Sequence, residues 1–387
     1  MKLLIIDSNV TPSSPSMRGW LGAFDQIVPL FEEVEIWSTQ CSIADHPQVK
    51  WVPFWAVKPW SLQAIVFHWQ LQFRISQQEV WPPPETVVQI TGFKIAQADI
   101  RFIHYSNVLF QEEVHQRPET LSPKWYRKLS LQSSVNEERK VLAQGRTGHW
   151  WAVSRRLGER VQGMDQSQGQ LYLTPNSYDP DRFNPASRLR NRVAARERYG
   201  FAEGEQVLVF SAYAHFERKG LLQAVAAVAQ VRRAGVALRL LVLGGTPRVL
   251  ADFQEKMAKE KIEPEGIVFA GLVSEIETHL AAADGLIFPS HFEAFSLAEI
   301  EAAAMGLRLY LTAHYGIEMI LKDPVNGRLL PWDVAGMAKV LQEECESEAL
   351  GTFHKELGEA LTPDDYSQRL VTGYRQVLVE KEQGRKG

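Results

Sequence analysis

Residues 289–306, PSHFEAFSLAEIEAAAMG, hold the groups best placed to do chemistry: two carboxylates, Glu293 and Glu301, separated by seven residues. The apolar run GLIFPS before them reads as a strand, so the segment is a strand end opening into a loop and a helix. Open parallel sheets bind ligands at such carboxyl ends. Ser296 followed by Glu299 fits a capping box, which starts the helix at about Leu297 and makes its free backbone N–H groups an anion site. Glu293 falls on the loop and Glu301 in the first turns of the helix, so the two carboxylates can reach different parts of one elongated ligand. Glutamates on a solvated helix face are the plainer alternative.

Such residues need a scaffold, and the flanking pattern provides one. QVLVFSA reads as a strand, KGLLQAVAAVAQVRRAG as a helix, LRLLVLGG as a strand and EIETHLAAA as a helix before GLIFPS. This βαβ repetition predicts a Rossmann-like domain. In the amino-terminal half, Leu3 to Ile6, Val34 to Trp37, Thr86 to Ile90 and Asp99 to His104 read as strands with helical patterns between them, a second doubly wound domain. Between the halves, ASRLRNRVAARERYG is a charged helix stopped by Gly200. The expected organisation is an amino-terminal domain over 1–183, a carboxy-terminal domain over 184–360 and a final segment, 361–387, whose helix spans about Asp364 to Lys381. The fold class is α/β, two Rossmann-like domains facing one another across a cleft, with 176–187 as hinge.

The whole composition fits this picture. A chain of 387 residues suits two domains, and 45% hydrophobic with 23% charged residues excludes wholesale disorder. Forty-two Lys and Arg against 46 Asp and Glu leave a net charge of -4, so no positive field exists to hold nucleic acid. Cys41 and Cys345 follow no metal-ligand spacing and suit a reducing, cytoplasmic compartment. The opening MKLLIIDSNV is too short for a signal-peptide core, and no apolar run reaches the roughly 18 residues that span a bilayer. Any membrane contact, at the inner face, is therefore peripheral. Two segments bear on this. WVPFWAVKPWSLQAIVFHWQLQF carries Trp51, Trp55, Trp60 and Trp69, core residues by default, although indoles also stack on sugars. PKWYRKLSLQ joins Trp125 and Tyr126 to Lys124, Arg127 and Lys128, as a solvated helix or as an interfacial or lipid-linked acceptor site.

Several ordered motifs carry a resemblance. EAFSLAEIEAAAMG places two glutamates as in the retaining, GT-B-fold glycosyltransferases of family 4, and the chain resembles that family from about His149 to Pro331. LYLTPNSYDPDRFNP is similar to the family's interdomain motif, and RERYGFAEGEQVLVFSA, LRLLVLGG, IVFAGLVSEIETHLAAADGLIFPS and NGRLLP continue the match. The resemblance implies that Glu293 contacts the donor sugar, Glu301 the nucleotide ribose, and the amides around Phe295, Ser296 and Leu297 sugar or phosphate oxygens. Gly244 and Val273, in the matching LRLLVLGG and AGLVSE segments, complete the implied nucleotide-sugar site. Lys219 in SAYAHFERKG matches the family lysine that neutralises the departing diphosphate. Its arginine partner is missing, since Tyr213 and Ala214 stand there; Arg218 either compensates or belongs to a solvated turn. His104 looks like the family histidine that approaches the donor sugar, and Gly19 in SMRGW is what remains of an early glycine pair near the diphosphate. Tyr315-Gly316 and Arg308 depart from a glycine pair and a proline.

What the resemblance implies is transfer of a hexosyl unit, with retention, from a UDP- or GDP-linked sugar to a hydroxyl of a glycan, lipid-linked or small-molecule acceptor. It implies no cofactor beyond the donor and no essential metal: Asp179-Pro180-Asp181 imitates the Asp-x-Asp metal motif of another glycosyltransferase architecture but reads as turn chemistry. The alternatives are a non-catalytic nucleotide-sugar-binding protein, or an epimerase or phosphorylase on the same architecture.

Overall fold

A computed structural model of the protein describes residues 1–58, 60–115, 125–165, 169–347 and 361–383, with no side chain described at 60–61, 114–115 or 125–130. The basic, aromatic segment from Lys124 to Lys128, and Trp60, therefore lie outside the described side chains. The chain divides into two units. One holds Met1–His115, the described residues up to Asn176 and the chain from Pro363 onward; the other is Ser177–Thr362.

The amino-terminal unit is a wholly parallel sheet of β1 (Lys2–Ile6), β2 (Val34–Ser38), β3 (Val49–Pro53), β4 (Thr86–Thr91), β5 (Ala98–Ile103), β6 (Thr147–Ala152) and β7 (Gln170–Leu173), in the order 3-2-1-4-5-6-7. The four expected strands form at its centre, where both faces are covered and the sequence runs continuously apolar. The three others lie outside them: β3 has largely exposed residues, and β6 opens on a polar Thr-Gly-His. The helices are α1 (Pro15–Gly22), α2 (Phe24–Ile27), α3 (Trp60–Ser76), α4 (Asn107–His115), α5 (Trp125–Ala143) and α6 (Arg155–Gln162).

The carboxy-terminal unit is a second parallel sheet of β8 (Gln206–Ser211), β9 (Leu238–Leu243), β10 (Ile267–Gly271), β11 (Gly285–Phe288), β12 (Arg308–Leu311) and β13 (Gly327–Leu329), ordered 10-9-8-11-12-13. Its helices are α7 (Pro185–Tyr199), α8 (Leu221–Arg233), α9 (Pro247–Lys259), α10 (Ile276–Leu280), α11 (Leu297–Ala304) and α12 (Val334–Glu346). Helix α7 has the caps its sequence promises: the Asn184 side chain accepts from Ser187 N at 2.7 Å, Pro185 opens the helix, and Gly200 closes it in the left-handed region. Its charge has a purpose that spacing alone hides. Arg188, Arg192 and Arg196 recur every fourth residue and converge on the buried Asp284 at 3.6, 2.5 and 3.6 Å.

Segment 177–183 is built into this second unit. Tyr178 N donates to Leu361 O, and the Arg182 guanidinium grips Glu277 of α10 with two bonds of 3.1 and 2.6 Å. Asp179 spends its carboxylate on the backbone N–H groups of Asp181 and Arg182.

The last helix, α13 (Pro363–Gln383), completes the amino-terminal core, where Tyr366, Leu370, Tyr374 and Val377 pack with Leu3, Ile5, Trp20 and Phe102. Trp20 Nε1 donates to the Tyr374 hydroxyl at 2.7 Å, and that hydroxyl donates to Gln89 Oε1, so both aromatic polar groups are satisfied, while Gln89 Nε2 at the end of the chain has no hydrogen-bond partner. The aromatic stretch departs from its default reading: Trp55 is 70% and Trp69 59% exposed. The core face of α3 is made instead by Gln63, Phe67 and Leu71, which are spaced four apart.

Candidate functional site

In the carboxy-terminal sheet the chain winds outward from β8 toward β9 and from β11 toward β12, so the strand order switches between β8 and β11. In open parallel sheets such a switch point, at the carboxyl ends of the strands, is where a ligand crevice forms. Lys219 and Arg218 come from the loop after β8, and Glu293 from the loop after β11.

Two local features aim the basic pair. Lys219 N bonds His215 O and Leu221 N bonds Phe216 O, which winds 215–221 into a tight turn with His215 in the left-handed region. The turn ends at Gly220, the residue before α8, with φ +74°; a Cβ there would lie 2.0 Å from Pro289 O, so only glycine lets this turn pack against the end of β11. The two loops are then stitched by His291 N donating to Arg218 O at 2.9 Å.

Glu293 Oε1 takes three donors: Lys219 Nζ at 2.9 Å, Arg218 Nη1 at 3.1 Å and Ser290 Oγ at 2.9 Å. Arg218 Nη1 also bonds Phe292 O, and Lys219 Nζ sits 4.8 Å above the Phe288 ring. Burial alone would raise the Glu293 pKa, but the two cations outweigh it and hold the carboxyl below its ordinary value. Arg218 is thus part of the site and not of a solvated turn; the basic pair is adjacent in sequence and its two charges meet on one oxygen.

Helix α11 begins at Leu297, as the sequence suggests, with Ser296 as its extended N-cap. The capping box does not form. Ser296 makes no side-chain cap bond, and Glu299 is fully buried with its Oε1 3.0 Å from Nε2 of the buried His314, which follows β12. Burial lowers the His314 pKa, but the Glu299 carboxylate, the Tyr315 carbonyl and Glu293 together outweigh it and raise it to about 8, so the imidazole is protonated at neutral pH. Its charge is felt at Glu293. Sequence reading missed this pair because the two partners lie on different elements, and no local spacing links Glu299 to His314. Glu301 lies half-buried two residues further along α11, where its charge is felt by Arg182. Phe295 is buried, and Val273 is half-buried in the loop after β10.

Gly244 ends β9 with φ +108°, and a Cβ there would lie 1.8 Å from Ala212 O, so this glycine admits the loop after β8. Tyr315 is buried edge-on against Phe292 at 5.7 Å, whereas Tyr213 stands 79% exposed in place of the missing arginine. Arg308 has no part in the crevice. It opens β12 and pairs with buried Glu344 at 2.5 Å, at the opposite end of the strand.

Two expected residues lie in the other unit. Gly19 is not in a phosphate loop: it lies within α1, and a Cβ on it would meet the Tyr366 ring at 2.8 Å, so its smallness lets α13 approach. His104 follows β5, stacked 5.9 Å from Phe102; burial pulls its pKa down to about 4, leaving a neutral ring whose Nε2 has no hydrogen-bond partner. A cavity of about 320 Å³ at the ends of β1 and β4, the switch point of this sheet, is lined by Asp7, Ser14, Ser16, Phe67 and Thr91. Asp7 is buried, its Oδ1 accepting from Asn9 N at 2.9 Å and its Oδ2 without a partner, and burial raises its pKa.

Among the described residues no group of three or more His, Cys, Asp or Glu is placed to hold a metal, and no helix is long and apolar enough to cross a membrane.

Residues 205–346 match the family model described as glycosyl transferases group 1. Glycogen synthase of Mycobacterium tuberculosis is 28% identical over 197 residues, which is 50% of this chain and 46% of that protein. The chain thus spans less than half the length of the curated relatives it matches. Over nearly its whole length it is similar in fold to sucrose-phosphate synthase from Thermosynechococcus elongatus (TM-score 0.73, 17% identity, 98% of this chain and 100% of that one). It is likewise similar to HepE of Anabaena in complex with UDP and glucose (TM-score 0.64, 14% identity, 97% and 99%). The cluster of Lys219, Arg218 and Glu293 thus lies within the segment that matches the group 1 glycosyltransferase model, and the chain has the GT-B fold of two Rossmann-like units.

Proposed function

We propose that the protein is a retaining glycosyltransferase of the family 4 kind, which moves a hexosyl unit from a UDP- or GDP-sugar to an acceptor hydroxyl without an essential metal. The observation that carries the reading is the convergence of Lys219 and Arg218 on Glu293 at the switch point of the group 1 domain. Glycosyl transfer separates an oxocarbenium-like carbon from a leaving diphosphate. It needs fixed cations beside the phosphates and a fixed carboxylate beside the sugar. Lys219 and Arg218 fill the first role, joined by the free amides of Phe295, Ser296 and Leu297 at the start of α11. Glu293, kept ionised by the same two cations, orients sugar hydroxyls, and Glu301 takes the ribose. His104, neutral and with Nε2 free, can exchange a hydrogen bond with a sugar hydroxyl. Asp7 and the serines beside it offer acceptors and donors for an incoming glycan or other polyol hydroxyl. The solved relative that holds UDP and glucose favours a uridine donor.

The test is a panel of UDP-, GDP- and ADP-sugars, scored for thermal stabilisation and for release of free nucleotide with candidate acceptors, on wild type and Glu293→Ala. Stabilisation by one donor, with release lost in the variant, is the expected result. Binding without release under every acceptor would overturn the catalytic reading in favour of a nucleotide-sugar-binding protein.

A further inference from the structure

Helix α3 is apolar on two opposite faces, and the fold covers only one. Gln63, Phe67 and Leu71 are buried, the last two in the core that includes Trp37, Phe54 and Val88. At 100° per residue they centre about 160° away from a second stripe, Leu62, Ile65, Trp69 and Phe73, which spans an arc of about 80°. That stripe is exposed by 48, 65, 59 and 57% in turn, and the Trp69 and Phe73 rings stack on each other at 6.0 Å. Trp55, 70% exposed, is fixed to the same helix. The Gln70 side chain accepts from Trp55 N at 2.7 Å and donates to Trp55 O at 3.2 Å, while Gln63 accepts from Val57 N at 2.7 Å. The loop is clamped so that an indole stays in solvent. Solvated surfaces of single domains rarely keep so many large apolar groups together.

Charge indicates what covers this face. The chain is acidic overall, yet from His46 to Gln78 it has no Asp or Glu, and its charged residues there are Lys50, Lys58 and Arg74. Of the acidic residues that come near in the fold, Glu35 pairs with Lys50 at 2.8 Å and Glu137, beside His68, with Lys94 at 2.9 Å, while Glu79 stands exposed beyond the carboxyl end of the helix. Lys58 is exposed just before the helix. An aliphatic stripe with indole rings and an adjoining cation, cleared of negative charge, is complementary to an anionic bilayer surface: aromatic rings settle at the headgroup level while lysines meet lipid phosphates.

We propose that the exposed face of α3, with Trp55, is a docking surface for an anionic lipid bilayer. The proposal concerns the amino-terminal unit alone and stands whether or not the reaction assigned above is correct. It is tested on the full chain by co-sedimentation with vesicles of phosphatidylcholine alone and with vesicles in which a third of the lipid is phosphatidylglycerol. The phosphatidylglycerol vesicles should bind the protein more tightly, with salt weakening the difference. The variant Ile65→Ser/Trp69→Ser/Phe73→Ser, whose sites are all exposed and whose thermal unfolding should match wild type, should lose at least about tenfold in partitioning. Lys58→Glu should lose less, and only on the anionic vesicles. Absence of binding by wild type, or equal binding by the triple variant, would overturn the proposal. So would a wild-type dimer in analytical ultracentrifugation that the triple variant dissociates, which would assign the face to a second copy of the chain.

Discussion

Replacing Glu293 with glutamine separates binding from catalysis, because the site spends both of its cations on that one carboxylate. In Glu293→Gln the amide keeps the shape and can still accept from Ser290 and Lys219, but the negative charge is gone. Lys219 and Arg218 are then free to face a diphosphate, and the diphosphate no longer meets a carboxylate behind them. Two unit charges about 6 Å apart interact by about 3 kcal/mol at an effective dielectric constant of about 20, and partial exposure of the site halves this to about 1.5 kcal/mol. Glu293→Gln should therefore bind the free nucleoside diphosphate of the matching donor roughly tenfold more tightly, measured by calorimetry. Sugar transfer should fall by about 100-fold or more as the group that orients the sugar is lost. Lys219→Met should instead weaken diphosphate binding. If Glu293→Gln weakened the diphosphate as much as Lys219→Met, or kept its turnover, the assignment of cations to phosphate and carboxylate to sugar would be wrong.

Two further outcomes follow from the same geometry. Gly19→Ala forces a Cβ to within 2.8 Å of the Tyr366 ring, so it should destabilise the protein by about 1–3 kcal/mol in chemical denaturation while leaving nucleotide affinity unchanged, whereas a phosphate-loop role would predict the reverse. His314 has its pKa raised from an ordinary 6.5 to about 8, so its pairing with Glu299 contributes fully below about pH 6.5 and is lost as pH rises through about 8. Stability measured across that window should fall by an amount of order 2 kcal/mol, and Glu299→Gln should flatten the profile.

The buried strands of both sheets were legible because a parallel strand covered on both faces must be continuously apolar, as in Leu3 to Ile6 and GLIFPS. So were the limits of α7 and the start of α11, since caps act within a few residues of where they stand. The Glu293 and Glu301 spacing and Lys219 were equally plain, being local to one loop and one helix. What lay beyond the sequence were relations between elements. Glu299 looks like the second half of a capping box, yet its carboxylate turns to His314 from the next strand's loop because a buried charge is held most strongly by an opposite one. Gly19 looks like a phosphate-loop residue until α13, 347 positions downstream at Tyr366, is seen to need its missing side chain. Arg218 could not be told from a solvated turn residue until the chain crossing from β8 to β11 brought Glu293 to it. Trp55 and Trp69 read as core because composition counts indoles without saying which side of a helix the sheet takes. Sequence determines what each segment can bury and where it must turn; only the packed chain decides which charges meet, and that depends on contacts whose partners are far apart along it.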